Sequence, residues 1–372
     1  MPLKLISFGL LLIYLSPLMA TERVYGHHPP LKRTDLRPYE FNNFSLSLNS
    51  WSVDGDRLRA RGTGLKASGN FEAQLNSSID FHAGAGFRIQ TGSNNSLSLA
   101  EFAPEREWLL DHAQLEWKGL EFLNITLGAI NQNWLNSPLL VSDMAFMAAK
   151  QKARINLPGS LSFTLSAQQS IPNNQTLSLR AGGIDEGTPH FFVQGGTIEF
   201  DSKFTSISAS AHYFIYDKLA SGVANQSRFM GNNIEGSSTQ SRFVYGYEGW
   251  NSTLILAYHP SEILYQFYAQ YLFNNKAPDE ENTGFFVGPI IAHPNFKLAL
   301  RYFYLEANAS VGFYNEKKLG HNNKKGISLE FTKKSLANSF DLYFEYSRAQ
   351  VIKSNPLDGD MDYFAISFIH NF

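Results

Sequence analysis

Asp362-Tyr363-Phe364-Ala365-Ile366-Ser367-Phe368-Ile369-His370-Asn371-Phe372 is the stretch that decides the fold. Phe364, Ile366 and Phe368 fall on one face of an extended strand, and Ala365, Ser367 and Asn371 on the other. Chain ends in soluble proteins tend to fray and to be polar. An apolar last strand that stops on Phe372 is expected instead to pair on both edges and close a sheet. Closure is what a lipid environment demands, because hydrocarbon satisfies no open strand edge. A β-sandwich with a buried last strand is the alternative.

The same period of two recurs upstream. Phe44, Leu46 and Leu48 alternate with Ser45, Ser47 and Asn49; Leu123, Ile125 and Leu127 with Asn124, Thr126 and Gly128. Leu161, Phe163 and Leu165 alternate with Ser162, Thr164 and Ser166, and Phe340, Leu342, Phe344 and Tyr346 continue the pattern. Such repetition marks strands with one apolar and one polar face.

Connections separate a barrel from a sandwich. Short, turn-rich links such as Lys118-Gly119-Leu120, Leu157-Pro158-Gly159 and His293-Pro294-Asn295 alternate with long polar ones. The long links are Val53 to Lys66, Thr91 to Trp108, Gln132 to Ala149, Ser170 to Pro189, Asp217 to Gln240, Asn274 to Asn282, Asn315 to Lys324 and Val351 to Asp360. Short turns at one end and long loops at the other are the pattern of a membrane barrel. The spacing predicts an all-β chain, a transmembrane antiparallel β-barrel of about 16 strands with short periplasmic turns and long extracellular loops. Within it, 241–258 is expected as one long strand with a bulge near Gly249-Trp250-Asn251, and 296–314 as one strand.

The start of the chain fits export. Lys4, the apolar run Leu5 to Leu18 and the small Ala20 read as a signal peptide over residues 1–20. The run is shorter than a bilayer span and Pro17 interrupts it. Residues 21–40 read as a short periplasmic segment and 41–372 as the barrel. The outer membrane of a bacterium is the expected location. There are 0 cysteines, which removes disulfide scaffolds and thiolate metal sites. Aromatic residues make up 14% of the chain, with 30 Phe and 17 Tyr, a composition suited to lipid-facing girdles. Loss of residues 1–20 would remove Lys4 and no acid, leaving 30 bases against 33 acids. That balance argues against a nucleic-acid partner.

Asp111-His112-Ala113-Gln114-Leu115-Glu116-Trp117 followed by Leu123-Asn124-Ile125-Thr126-Leu127-Gly128 resembles a hairpin of the phosphate-selective porin family and related porins. The clear likeness spans some 40 residues. It implies a 16-stranded, trimeric, water-filled pore for passive diffusion of ions and small hydrophilic solutes, with anions among them. Ala129-Ile130-Asn131-Gln132 departs from the family's basic and proline-containing continuation. The ending on Phe372 resembles the C-terminal signal of outer-membrane barrels and implies recognition by the barrel-assembly machinery, with outer-membrane lipid as the other partner. His370 departs from that signal.

The resemblance also nominates the third long link, Gln132 to Ala149, as the constriction. Its Trp134, Leu135, Leu139, Leu140, Val141, Phe146 and Met147 are too apolar for a loop in water, and Asp143 lies among them. Lys150, Lys152 and Arg154 follow at spacing two and share one face. A basic row costs too much in lipid, so it is expected to line the lumen. Arg88, Lys297 and Arg301 fall on polar phases and complete a candidate basic wall; Glu116, Glu330, Asp341 and Glu345 fall on polar phases elsewhere. Opposed charges across a pore would orient polar solutes. No Gly-x-Ser-x-Gly or His-Glu-x-x-His occurs, and the chain is not expected to be an enzyme, although a barrel enzyme or a substrate-specific channel remains the alternative. A secreted sandwich adhesin is a third reading. No cofactor is expected. The adjacent His27 and His28 point apart in extended chain and make a poor metal site.

Overall fold

A computed structural model describes residues 39–95, 102–173, 186–334 and 340–372. The signal peptide and all but the last two residues of the 21–40 segment, with His27 and His28, lie outside the described residues.

Sixteen antiparallel strands form one closed barrel. The first eight are β1 (Tyr39–Gly55), β2 (Arg59–Asn76), β3 (Ile79–Asn94), β4 (Arg106–Leu120), β5 (Leu123–Asn131), β6 (Ala145–Leu157), β7 (Leu161–Ile171) and β8 (His190–Asp201). After β9 (Thr205–Asp217), two short strands, β10 (Ile234–Glu235) and β11 (Arg242–Phe243), pair with each other outside the barrel sheet. The wall then continues with β12 (Tyr247–Tyr258), β13 (Leu264–Asn274), β14 (Thr283–His293), β15 (Phe296–Leu305), β16 (Lys324–Lys334), β17 (Phe340–Val351) and β18 (Met361–Asn371). Barrel neighbours follow chain order throughout, and β18 closes on β1 from Ser45 opposite Asn371 to Gly55 opposite Met361. Phe372 adds a hydrogen bond of 2.9 Å from its N–H to the Phe44 carbonyl and sets its ring against Phe44.

Alternation sorts the side chains as expected. Leu46, Leu48, Leu65, Leu127, Leu165, Leu256, Leu300, Phe364 and Phe368 face outward and are exposed. Such an apolar band matches the hydrocarbon layer of a bilayer. Tyr258, Tyr265, Phe200, Phe296, Phe340 and Phe372 ring the short-turn end; Trp108, Trp250 and Tyr271 stand toward the other. These are the places where amphipathic rings meet headgroups.

Three strand expectations need correction. The link Val53 to Lys66 is mostly strand, because β1 and β2 extend to a three-residue turn at 56–58. Arg59, Arg61 and Gly62 read as loop residues, yet Gly62 is where the strand passes under Trp51, whose ring lies 2.5 Å from the position a Cβ would take. The expected long strand 241–258 is two elements: β12 begins at Tyr247 and pairs both neighbours without a bulge. The expected strand 296–314 stops at Leu305.

One cause underlies the last two errors. At the long-loop end the inner face of the wall is apolar. Phe146, Phe191, Phe214, Tyr216, Tyr247, Leu272, Phe303 and Leu305 point inward and are buried. They pack against loops that fold into the barrel, so the rule of apolar outside and polar inside fails there, and the change of phase at Tyr247 mimics a bulge. Glu306 to Val311 keeps strand-like alternation but belongs to one of those loops.

The outward band sets a first expectation. Leu300→Arg, at the middle of β15, should destabilise the barrel in phospholipid bilayers by about 2–4 kcal/mol, read from the denaturant midpoint of unfolding. A loss near zero would mean that this face does not meet lipid.

Candidate functional site

Loop L3 (residues 132–144, between β5 and β6), loop L5 (218–246, between β9 and β12) and loop L7 (306–323, between β15 and β16) turn inward and share a core. L3 opens with the 3-10 turn Gln132–Leu135, closed by Asn136 in a left-handed conformation. From there it reaches wall strands on the other side of the lumen. Tyr268 donates its hydroxyl to the Asn136 carbonyl at 2.6 Å, and Ser137 donates to Asn251 Oδ1 at 2.8 Å. Gln270 Nε2 donates to both Ser137 Oγ at 2.6 Å and Asn251 Oδ1 at 2.8 Å. These bonds tie L3 to β12 and β13 at fixed points. On the near side Trp134 donates to Gln168 Oε1 at 2.9 Å.

L7 locks onto L3 through its backbone. The Ser142 N–H donates to the Tyr314 carbonyl at 2.7 Å, and the Glu316 N–H to the Pro138 carbonyl at 3.1 Å. Tyr314 stacks on Tyr216 with ring centres 5.4 Å apart and meets Phe146 edge-on at 5.5 Å. Its burial pushes the phenol pKa up. L5 contributes a short helix, α1 (Ser221–Ser227), with Val223 and Ala224 buried. Beyond it Asn232 Nδ2 donates to Tyr247 Oη at 2.8 Å and to the Ala307 carbonyl at 2.7 Å, while its Oδ1 accepts from the Gly312 N–H at 2.8 Å.

The expected basic wall is distributed by strand order over separate places. Arg88 on β3 and Asp143 on L3 come together on one cavity of about 920 Å³. The inner face of β2 to β4 bounds it on one side, with Lys66, Asn70 and Asp111; L3 and L7 bound it on the other, with Ser142, Glu316 and Lys317. Arg88 pairs with Glu105 at 3.0 Å and with Glu107. Burial and the Glu107 carboxylate push the Glu105 pKa up, against the pull of Arg88. Asp143 accepts from Asn131 Nδ2 at 2.5 Å and Asn133 Nδ2 at 2.8 Å, and Asn131 also donates to Asp111 at 2.8 Å. Both signs of charge thus line a gap beside the loop core, together with apolar residues such as Leu109, Met144 and Phe313.

Lys150 and Lys152 line a second cavity, of about 200 Å³, with Trp134, Ser166, Glu199 and His212. The Lys150 ammonium lies 5.0 Å from the centre of the Trp134 ring, a cation–π contact. Arg154 is committed to Glu199, at 3.2 Å, and donates to Ser162 Oγ at 3.0 Å. Lys297 is exposed near the short-turn end of β15.

Arg301 enters a third cluster, with Glu330 at 2.6 Å. There Lys318 of L7 reaches the wall, 2.7 Å from Glu345 and 3.5 Å from Glu330, and Tyr343 donates to Glu345 at 2.9 Å. Burial disfavours the Lys318 ammonium, but Glu316, Glu345 and Glu330 outweigh it and hold its pKa well above the usual lysine value. Sequence reasoning missed Lys318, because a lysine in a polar loop carries no sign that it points inward. Glu116 stands apart near the short-turn mouth, 3.0 Å from Lys118 and 3.3 Å from His82 Nε2.

No protein-family model matches the chain, and no curated protein matches it in sequence. Solved structures do match it in shape. OprB of Pseudomonas putida, in a high-pH structure, superposes with a TM-score of 0.58 at 10% identity, over 90% of this chain and 94% of that one. OmpF of Salmonella typhi, in complex with daunomycin, gives 0.52 at 12% identity over 90% and 97%. OmpT of Vibrio cholerae lacking loop L8, an outer membrane protein, gives 0.51 at 11% identity over 90% and 100%. At these identities the likeness is one of fold: the chain is a closed 16-stranded barrel of the kind found in outer-membrane proteins.

Proposed function

We propose that the protein is an outer-membrane channel, exported by cleavage after residue 20, that lets ions and small hydrophilic solutes pass down their gradients without catalysis. One observation carries the reading. A cavity lined by both signs of charge, and in equal measure by apolar groups such as Leu109, Met144 and Phe313, lies between the inner wall of β2 to β4 and the L3–L7 core, inside a barrel whose outer face is apolar. In such a gap a field between Lys66 or Lys317 and the carboxylates of Asp111, Asp143 and Glu316 would act on a passing solute, while Glu105 and Glu107 offset the charge of Arg88. A transverse field of this kind orders water and orients dipolar solutes.

The Lys150-Lys152 pair supports an anion preference, because it presents two basic groups to the lumen on the short-turn side of L3. Arg154 adds less, since Glu199 offsets its charge. The loop core itself favours a selective channel over a wide one: L3, L5 and L7 occupy lumen that a general diffusion pore would leave to water. Phosphate is one anion that would suit two lysines beside serine and threonine hydroxyls, in keeping with the hairpin likeness.

Two measurements test this reading. In a planar bilayer under a salt gradient, the purified protein should show an anion-selective reversal potential, and the triple variant Lys150→Gln, Lys152→Gln, Arg154→Gln should move it toward zero. An unchanged potential would remove the basic row from the selectivity mechanism. Deletion of residues 133–143 should raise single-channel conductance, because it takes the L3 segment out of the lumen; equal conductance would mean that L3 does not narrow the path.

A further inference from the structure

Near the short-turn mouth, β3 and β4 assemble a group that the channel reading does not use. Asp80 and Glu116 are register partners, and His82 follows Asp80 by two on the same inward face. One ligand atom from each lies within 4.8 Å of the other two. One imidazole nitrogen and two carboxylate oxygens suit zinc or a similar divalent ion, with a further position left for water.

Further features mark this group as more than a collection of charges. His82 Nε2 is shielded from solvent and makes no hydrogen bond among the described residues, although Glu116 Oε2 is only 3.3 Å away. A shielded ring nitrogen that makes no hydrogen bond, and has only a carboxylate oxygen close by, is uncommon and asks for an explanation. The other ring nitrogen, Nδ1, lies 3.7 Å from Glu72 Oε1, on the register-paired position of β2. A carboxylate behind a histidine is the usual support for a metal ligand, since it keeps the proton on Nδ1 and turns the Nε2 lone pair toward the ion. Asn124 Nδ2 donates to Glu116 Oε1 and orients that carboxylate.

A resident cation already sits there. Lys118 Nζ lies 3.1 Å from Asp80 Oδ2 and 3.0 Å from Glu116 Oε2. Its side chain is half-exposed, two residues from the end of β4. The ammonium carries one charge and only donor hydrogens, so it neutralises the carboxylates but offers less than a dication that also takes the lone pair of His82.

We infer that Asp80, His82 and Glu116 form a binding site for a divalent transition-metal ion of the zinc class, in competition with the Lys118 ammonium. The site rests on the barrel wall and is independent of what the lumen conducts. Calorimetric titration of ZnCl₂ into the full-length protein in detergent tests it, with folding of every variant checked by heat-modifiable gel migration. The wild type should take up one more equivalent than His82→Ala; equivalents held elsewhere, as by His27 and His28, would be common to both. Glu72→Gln should weaken that equivalent about tenfold, and Lys118→Met should tighten it. Equal uptake by wild type and His82→Ala overturns the site, and no gain in Lys118→Met overturns the competition.

Discussion

Closure is the constraint on which everything else depends. The backbone of a barrel strand has N–H and C=O groups on both edges, and in hydrocarbon each one left without a partner costs several kcal/mol. Pairing of β18 with β1 satisfies the last two edges together. Once the sheet is closed, inside and outside are defined for every residue, and a period of two becomes a lipid face and a lumen face. The ending at Phe372 matters in this light, because its N–H and its ring both bind Phe44 at the seam.

Within the closed wall the protein builds something closer to the core of a soluble domain. Aromatic side chains from β6, β8, β9 and β12 meet Leu139, Leu140, Val141, Val223 and Tyr314 from three loops. Apolar contact holds those loops inside; within it the amides of Asn232 and Asn322 donate to loop carbonyls, and Gln270 donates to Asn251 Oδ1. Lys318 adds an electrostatic tie between L7 and the carboxylates of β16 and β17. Beside this core one cavity runs along β2, β3 and β4, where small and polar residues such as Ser68, Asn70 and Gly86 line the wall, and a second lies against β6 to β9.

The architecture was legible from the residues, and the site was legible only in part. Strand number and the alternation of short and long links follow from periodicity and composition; the inward path of the third loop came from the porin resemblance, and its apolar residues fit it. Missed were the inner faces at the long-loop end, where Tyr247 and Phe303 are apolar because a loop rather than water lies against them. The expected basic wall is spread over separate places for a simple reason. Arg88, Lys150 and Arg301 share a phase, but β3, β6 and β15 are not neighbours in the barrel.

Taken alone, the sequence determined which face of each strand is apolar, that the sheet has to close, and that charges on polar phases point inward, because these depend only on the two-residue period and on the cost of charge in lipid. Tertiary structure alone decided which of those charges meet. The meeting of Arg88 with Asp143 on one cavity, of Lys150 with Trp134, of Lys318 with Glu345 and of His82 with Glu116 depends on strand order, register and the path of the loops across the lumen. Those are distances in space between residues far apart in the chain, and a local period carries no information about them.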